Sequence, residues 1–341
     1  MSQMTQRIVL AARPQGAVSA ENFRFEEVQL PDLGDGEVLV EATALSLDPY
    51  MRGRMDAAKS YAAPVEVDCV MEGGGVGRVL ASKFDGLGEG DMVFGMTGWQ
   101  SHAVLRGREL RKLPDDIPAS TALGVLGMPG FTGWYGLTAI GQPKEGETLV
   151  VAAALGPVGS LVGQYAKAKG LRVVGIAGGA KKCAHVVEEF GFDECLDHRT
   201  FTDANAARGA IAKACPDGVD IYFENVGGTV LEGVLPNMNV FGRIPICGMI
   251  AYYDGEAKVE KYDLPKIWRS MLVNRMHAQG FIISDHWDKF SAFLKDVVPM
   301  VADGRIKYTE DVAEGLEGMP ETFMSMLKGG NFGKQVVKVK D

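Results

Sequence analysis

The sequence predicts an α/β protein, with a doubly wound parallel sheet in the middle of the chain and a β-rich domain in its first third. Two observations favour this fold class. Short apolar segments between glycine-rich turns fill roughly the first 120 residues, and from Thr148 onward strand, glycine turn and helix alternate. A length of 341 residues and a hydrophobic content of 46% are sufficient for two cores.

The β-rich part consists of short apolar segments separated by the turn sequences PDLGDGE, EGGGVG and GLGEGD. Its strands are predicted at residues 38–45, 77–81, 92–95 and 102–105. After about residue 300, GRIKYTE and KQVVKVK again have strand character, so this part of the chain is expected to rejoin the first domain. The predicted domains are residues 1–125 together with 300–341, and residues 126–299.

Helical patterns such as AKKCAHVVEEFG and TVLEGVLPNM separate the apolar strands in the middle of the chain. These strands are predicted at residues 148–153, 171–175, 194–197, 219–223 and 243–247. Strands joined through helices run parallel, which predicts a parallel sheet.

Charge and cysteine content argue against several classes of partner. The net charge of −9 without a lysine or arginine block disfavours nucleic acid and anionic membrane. No window has 18 uninterrupted apolar residues, and the five cysteines are odd in number and far apart, which favours reduced thiols and a cytoplasmic location. Neither C-x-x-C nor H-x-x-x-H occurs, so no metal site is expected.

The sequence Ala153-x-x-Gly156-x-x-Gly159 lies directly after an apolar strand and opens a helix. Such a triplet is weak evidence alone, because a tight strand–helix turn has the same pattern. A second strand follows at βαβ spacing, which favours a dinucleotide whose pyrophosphate meets the helix N-terminus. Pro157 has no N–H, so Val158 and Gly159 are the predicted phosphate donors.

The second strand of this unit ends near Gly178 without an acidic residue. An acid at this place normally binds the ribose 2′-hydroxyl of NAD. Lys181 and Lys182 follow instead, and their charges favour the 2′-phosphate of NADP. Alternatively, the two lysines only cover a solvated helix start.

Several longer segments carry a resemblance to a known family. They are LSLDPYMRGRM, LGVLGMPGFTGWYGL, IYFENVGG, VLPNMNVFGRIPICGMIAYY, QGFII and NFGKQVVKV, and they extend over nearly the whole chain. The chain resembles the zinc-independent medium-chain dehydrogenase/reductases and, within them, the NADPH-dependent double-bond reductases. This resemblance implies a GroES-like catalytic domain, a Rossmann domain, NADPH in the cleft and a homodimer.

The resemblance also implies roles for individual residues. The matching positions are Gly156 and Gly159 for the pyrophosphate, Lys182 for the 2′-phosphate, Asn225 and Asn331 for further cofactor contacts, and Tyr253 for the active site. The chain departs from the family pattern at His198, where tyrosine is common, and at Gly179, where serine is common. Both changes remove a hydroxyl, although His198 and Arg199 could supply charge.

Without a metal, the residue types favour an unsaturated carbonyl over an isolated ketone as substrate. Hydride addition at the β-carbon of an enone places charge on the carbonyl oxygen, which a hydroxyl donor stabilises. Tyr253 is the first candidate donor and Tyr50 the second, the alternative for each being a packed aromatic side chain. The predicted partner is a small hydrophobic unsaturated carbonyl.

Other interpretations remain open. A quinone reductase of the same superfamily shares the glycine turn, and a cofactor-binding protein without turnover would share it too. A zinc alcohol dehydrogenase is disfavoured because Ser46, Leu47 and Asp48 stand where zinc-dependent relatives have ligands. Arg52 is a candidate for binding a substrate carboxylate, but a structural salt bridge with Asp48 is the favoured expectation.

The aromatic side chains of Trp99 and Tyr252 are candidate flat walls for an extended substrate. The sequence gives no spacing that would place either ring near the other candidate residues.

Overall fold

The computed structural model describes residues 3–253 and 264–339. Numbered in chain order, the strands of these residues are β1 (Met4–Leu10), β2 (Phe23–Gln29), β3 (Glu37–Ser46), β4 (Gly75–Ser82), β5 (Met92–Gly95), β6 (His102–Arg106), β7 (Arg111–Lys112), β8 (Thr148–Ala152), β9 (Arg172–Ala177), β10 (Glu194–Asp197), β11 (Val219–Phe223), β12 (Met238–Ile246), β13 (His277–Gly280), β14 (Glu310–Glu314) and β15 (Lys334–Lys338). The α-helices are α1 (Tyr50–Arg54), α2 (Met128–Tyr135), α3 (Pro157–Ala168), α4 (Ala180–Glu188), α5 (Ala204–Ala214), α6 (Gly228–Val234), α7 (Leu264–Asn274), α8 (Phe290–Ala302) and α9 (Met319–Leu327).

The described residues form two compact units. The first comprises residues 3–124, Tyr253 and residues 310–339, and the second comprises residues 125–252 and 264–309. Residues 300–309 thus belong with the second unit. The side chain of Gln164 explains this, because it binds both the carbonyl oxygen and the N–H of Lys307, each at 2.8 Å.

The second unit contains a six-stranded parallel sheet in the order β10-β9-β8-β11-β12-β13. Its central strands read as continuous apolar runs because helices cover both faces. Leu149, Val150, Val151 and Ala152 on β8 all have no exposed surface. The predicted fold class, a doubly wound parallel sheet with a β-rich domain, is confirmed.

The first unit is built around a seven-stranded sheet in the order β14-β15-β3-β4-β5-β7, with β6 pairing with β3. Strand β15 is antiparallel to β3, with Val336 opposite Ser46, so segments from both ends of the chain share one sheet. The core of this unit contains Trp99, whose ring stacks on Phe23 at a centroid distance of 5.5 Å and meets Phe323 edge-on.

Four strands were not expected from the sequence: β1, β2, the two-residue β7 and β13. The hairpin β1–β2 pairs Met4 with Gln29, and β13 lies at the edge of the parallel sheet. Strand β2 reads FRFEEVQ and β13 reads HAQG, so neither has the apolar run of a buried strand. None of the helices in the described ranges is long and apolar enough to span a bilayer.

Candidate active site

The glycine turn connects β8 to α3. Ala153 has a positive φ of 53°, Gly156 is the N-cap residue, and no side chain caps the helix start. A Cβ atom on Gly159 would collide with the carbonyl oxygen of Ala153, so glycine allows this close approach. The N–H groups of Val158 and Gly159 lie in the uncapped first turn, where an anion is stabilised.

A second glycine turn follows β9 and leads into α4. Gly179 has a φ of 100°, which favours glycine, and its N–H donates to an oxygen of Asp197 at 2.8 Å. Lys182 lies in the first turn of α4, and Gly178 is the first residue after β9. The two residues between β9 and α4, Gly178 and Gly179, thus include no acid, and Lys182 follows in the first turn of α4.

His198 and Arg199 begin the short helical turn that follows β10. The His198 Nε2 atom lies 2.8 Å from the position that a Cβ on Gly178 would occupy, so the imidazole covers this glycine. Partial burial lowers the pKa of His198, and Lys182 is close enough to lower it further. The structure thus brings Gly178, Lys182 and His198 together.

The turn after β11 carries Asn225. Its side-chain amide donates to the carbonyl oxygen of Ala152 at 2.8 Å, which joins this turn to the end of β8. Glu224, one residue earlier, is 2% exposed, and its Oε1 accepts the N–H groups of Val226 and Gly227 at 2.6 and 2.9 Å. Sequence reasoning missed the role of Glu224. The signal was available, because a glutamate directly follows the apolar strand.

Burial dominates the electrostatics of this turn. It raises the pKa of the Glu224 carboxyl above its usual value, although the two N–H donors oppose the shift. It also raises the pKa of Tyr222, and the neighbouring Glu224 carboxyl raises it further. The Tyr222 hydroxyl and Glu224 Oε2 interact, yet neither makes a hydrogen bond of normal geometry within the described residues.

The segment after β12 leads to Tyr253 and is held to the same turn. Ile250 and Ala251 donate backbone N–H groups to Asn225 and Val226, both at 3.1 Å. The Tyr252 hydroxyl accepts the N–H of Gly228 at 3.0 Å, so it supports the turn. Tyr253 follows directly and is half-buried.

Tyr50 is the first residue of α1 in the first unit. Burial raises the pKa of its hydroxyl well above the ordinary value, and the carboxylates of Asp48 and Glu72 raise it further. The Arg54 guanidinium lies 5.5 Å from the centre of the Tyr50 ring and is paired with Glu72 at 2.5 Å. The Tyr50 hydroxyl therefore stays protonated and is a hydrogen-bond donor at neutral pH.

The predicted pairing of Arg52 with Asp48 is wrong. Arg52 binds Asp56 at 2.7 Å, one helical turn away, and the carbonyl oxygen of Gly16. The Asp48 carboxylate accepts instead from the buried ammonium of Lys334 at 2.7 Å, a residue that no spacing in the sequence connects to it.

Two further side chains serve the structure of the first unit. Trp99 is fully buried in the core, so the prediction that it forms a wall for a substrate is wrong. The side-chain amide of Asn331 donates to the carbonyl oxygen of Gly333 at 2.7 Å and fixes the approach to β15.

The predicted cofactor residues of the second unit share one edge of its sheet. They follow the carboxyl ends of β8, β9, β10 and β11, which is where ligands bind open parallel sheets. These residues are Gly156, Val158, Gly159, Gly178, Lys182, His198 and Asn225. Tyr50, Tyr253 and Asn331 belong to the first unit.

Comparison with known proteins identifies the family. The NADPH-dependent curcumin reductase of Escherichia coli (strain K12) is 49% identical over 340 residues, which cover 99% of this chain and 97% of the relative. The chain belongs to the medium-chain dehydrogenase/reductase family. The resemblance stated from the sequence is confirmed.

Other members of the medium-chain dehydrogenase/reductase family match over similar lengths. A 2-alkenal reductase (NADP(+)-dependent) from Nicotiana tabacum is 40% identical, covering 92% of this chain and 90% of its own. The crystal structure of CurA in complex with NADPH from Vibrio vulnificus has a TM-score of 0.93 and 48% identity, covering 98% of this chain and 99% of that one.

Two domain families match parts of the chain. "N-terminal domain of oxidoreductase" matches residues 6–113 and "Zinc-binding dehydrogenase" matches residues 157–298. In residues 3–253 and 264–339, however, no three histidine, cysteine or carboxylate side chains are grouped as metal ligands would be. The second description therefore has no fitting zinc site among these residues.

Proposed function

We propose that this chain reduces the carbon–carbon double bond of α,β-unsaturated ketones and aldehydes with NADPH. The observation that carries this proposal is its near full-length similarity to the NADPH-dependent curcumin reductase and the 2-alkenal reductase. The proposed enzyme is an NADP-dependent oxidoreductase that acts on CH–CH bonds.

The residues at the carboxyl edge of the parallel sheet fit NADPH. The uncapped turn at Gly156, Val158 and Gly159 would hold the pyrophosphate, because its free N–H groups and close backbone approach suit an anion. The turn after β9 contains no acidic residue of its own and leads into Lys182 at the start of α4, which suits a 2′-phosphate.

Further contacts complete the proposed cofactor site. Gly178 and His198 would line the adenosine phosphate, Asn225 would lie toward the nicotinamide, and Asn331 would make a further cofactor contact. Bound there, NADPH supplies the hydride that adds to the β-carbon of the substrate.

Tyr253 has the central role in the proposed chemistry. As the β-carbon gains a hydride, the electron pair of the double bond moves toward the carbonyl and negative charge develops on its oxygen. The Tyr253 hydroxyl donates a hydrogen bond that strengthens with this charge, and a proton then adds to the α-carbon. Tyr50 is the second candidate donor, because its raised pKa keeps the hydroxyl protonated.

The direct test follows NADPH absorbance with four substrates: a medium-chain enal, an aromatic enone, a quinone and a saturated ketone. We expect oxidation with the enal and the enone and none with the ketone, with NADH as the cofactor control. Activity on the quinone alone would instead establish a quinone reductase. Absence of turnover with all four would leave a cofactor-binding protein.

We further propose a homodimer. Exposed apolar side chains lie on α7 and the adjoining β12, next to the edge strand β13 whose outer side has no partner strand in the described sheet. They are Val240, Phe241, Trp268, Leu272 and Val273. A second copy would cover this face. Light scattering should give about twice the 36.6 kDa chain mass, and Trp268→Glu should shift it toward one copy.

We also propose that the enzyme is cytoplasmic and works without zinc. All five cysteines are free thiols, as in a reducing compartment. Metal analysis of the purified protein tests the second point, since stoichiometric zinc would contradict it.

A further inference from the structure

Two basic side chains from the turn after β10 lie over the glycine pair that follows β9. His198 Nε2 is 2.8 Å from the Cβ position of Gly178, and Arg199 Nη1 is 3.1 Å from the Cβ position of Gly179. Lys182 lies in the first turn of α4, near enough to His198 for its charge to lower the pKa of that imidazole. Three nitrogen-bearing side chains therefore surround the place proposed for the 2′-phosphate.

Asp197 fixes this arrangement. A single oxygen of its carboxylate accepts the N–H of Gly179 at 2.8 Å and the N–H of Arg199 at 2.9 Å. The hydroxyl of Thr200 donates to the Asp197 carbonyl oxygen at 2.7 Å. The carboxylate is thereby engaged with the backbone of both turns, and the side chains of His198 and Arg199 are held over the glycines.

The charged groups around His198 are arranged against its positive form. Partial burial of the ring lowers the pKa of His198 from its usual value, and Arg199 on the same turn and Lys182 on α4 lower it further. Asp197 on β10 acts in the opposite direction. Without a ligand the imidazole is mainly neutral at pH 7.5, whereas a phosphate dianion beside it would favour the imidazolium.

We propose that Arg199 is a specificity-determining residue for NADPH over NADH, and that His198 takes up one proton from solvent when the 2′-phosphate binds. The phosphate remains a dianion, so the proton is gained by the imidazole and the net charge of the site is balanced. This inference rests on the proposed placement of NADPH. It adds that the preference for NADPH at this site is coupled to protonation of His198.

Proton uptake is measured by titration calorimetry at pH 7.5 in two buffers of different ionisation enthalpy. We expect net uptake when NADPH or 2′,5′-ADP binds, and none with NADH. His198→Gln should abolish the uptake while NADPH still binds. His277→Gln, which removes an exposed imidazole from β13, should leave the uptake unchanged.

The sign of the proton change is diagnostic. The second pKa of a phosphate monoester is about 6. Cations around the phosphate lower that value, so the phosphate alone would release protons on binding. Only a group on the protein can give uptake at pH 7.5.

Arg199→Gln tests the second half of the proposal. We expect the Kd of NADPH to rise about tenfold, as for loss of one charge-assisted contact, with the Kd of NADH unchanged. Equal losses for the two cofactors would overturn the role of Arg199. Uptake that persists in His198→Gln, or that NADH also produces, would overturn the role of His198. Both readouts are of binding, so a lack of enone reduction would overturn the proposed reaction without touching this inference.

Discussion

Tyr253 stands at the end of a segment that backbone hydrogen bonds hold to the Asn225 turn. We expect Tyr253→Phe to lower kcat for an enone by about 10²–10³-fold, as for loss of one donor to a developing oxyanion, with little change in NADPH affinity. Single-turnover kinetics would measure this. Tyr135→Phe is the control, because it also removes one phenol hydroxyl, but from a ring outside the proposed site that stacks on His286 at 4.1 Å. If Tyr253→Phe retains full activity, Tyr50 becomes the leading donor.

Gly159 and Gly209 are both helical glycines with different surroundings. A Cβ on Gly159 would collide with the Ala153 carbonyl oxygen, so Gly159→Ala should distort the turn, weaken NADPH binding and destabilise the protein by about 1–3 kcal/mol. Gly209 in α5 has nothing within 4 Å, so Gly209→Ala should stabilise by about 0.5–1 kcal/mol. Urea unfolding and NADPH titration measure the two effects. Equal changes in stability and NADPH affinity for the two variants would contradict a collision between the Cβ at position 159 and the Ala153 carbonyl oxygen.

Single residues show what the sequence could and could not predict. The side chains of the glycine turns follow from local pattern, because strand, turn and helix are contiguous there. The partner of Asp48 does not, since Lys334 is 286 residues away in the chain. An aromatic residue such as Trp99 could form the wall of a substrate pocket or part of a core. Only its contacts in the folded structure show that it is a core residue.

At the scale of elements, the turn after β11 connects three parts of the second unit. Glu224 binds the turn itself, Asn225 binds the end of β8, and Ile250 and Ala251 bind it from the segment after β12. The buried carboxyl of Glu224 makes the stability of this element depend on pH.

The direction of that dependence follows from the raised pKa of Glu224. Between the unfolded pKa of about 4.3 and the higher folded pKa, the folded state binds more protons, so stability falls as pH rises. Glu224→Gln should remove this part of the fall. Urea unfolding of both proteins from pH 4.5 to 7.5 measures it, with Glu188→Gln, exposed on α4, as the control for charge. Parallel curves for wild type and Glu224→Gln would contradict the assignment.

Elements were predictable to the degree that both their faces are buried. The strands β8, β9 and β11 stand out because apolar runs between glycine turns have few other interpretations. The edge strand β13 has partly exposed residues, and its place is set by pairing with β12. Its own four residues carry no such signal.

At the scale of the whole molecule, the first unit is closed by an ion pair between residues from opposite parts of the chain. Lys334 and Asp48 are 3% and 6% exposed, and Lys334 also donates to the Leu47 carbonyl oxygen at 2.8 Å. A hydrogen bond from Ser46 completes the carboxylate. Both charges are thus compensated inside the protein.

Removing one charge should cost more than removing both. We expect Lys334→Met to destabilise by about 3–5 kcal/mol, because the Asp48 carboxylate loses its ammonium, and the double variant with Asp48→Asn to recover part of this loss. Urea unfolding measures both. Lys112→Met breaks the more exposed pair with Asp91 and should have little effect. A double variant less stable than Lys334→Met would show that the ion pair is not the cause.

The position of β15 has a consequence for synthesis. The ribosome synthesises residues 125–252 and 264–309, the described residues of the second unit, before it makes β15, so the second unit does not depend on this strand to fold. The earlier strands must wait, because β15 lies between β14 and β3 and all but the last of its five residues are buried. A chain that stops before residue 334 therefore lacks an interior strand of the first unit, and the buried contacts of that strand are lost with it.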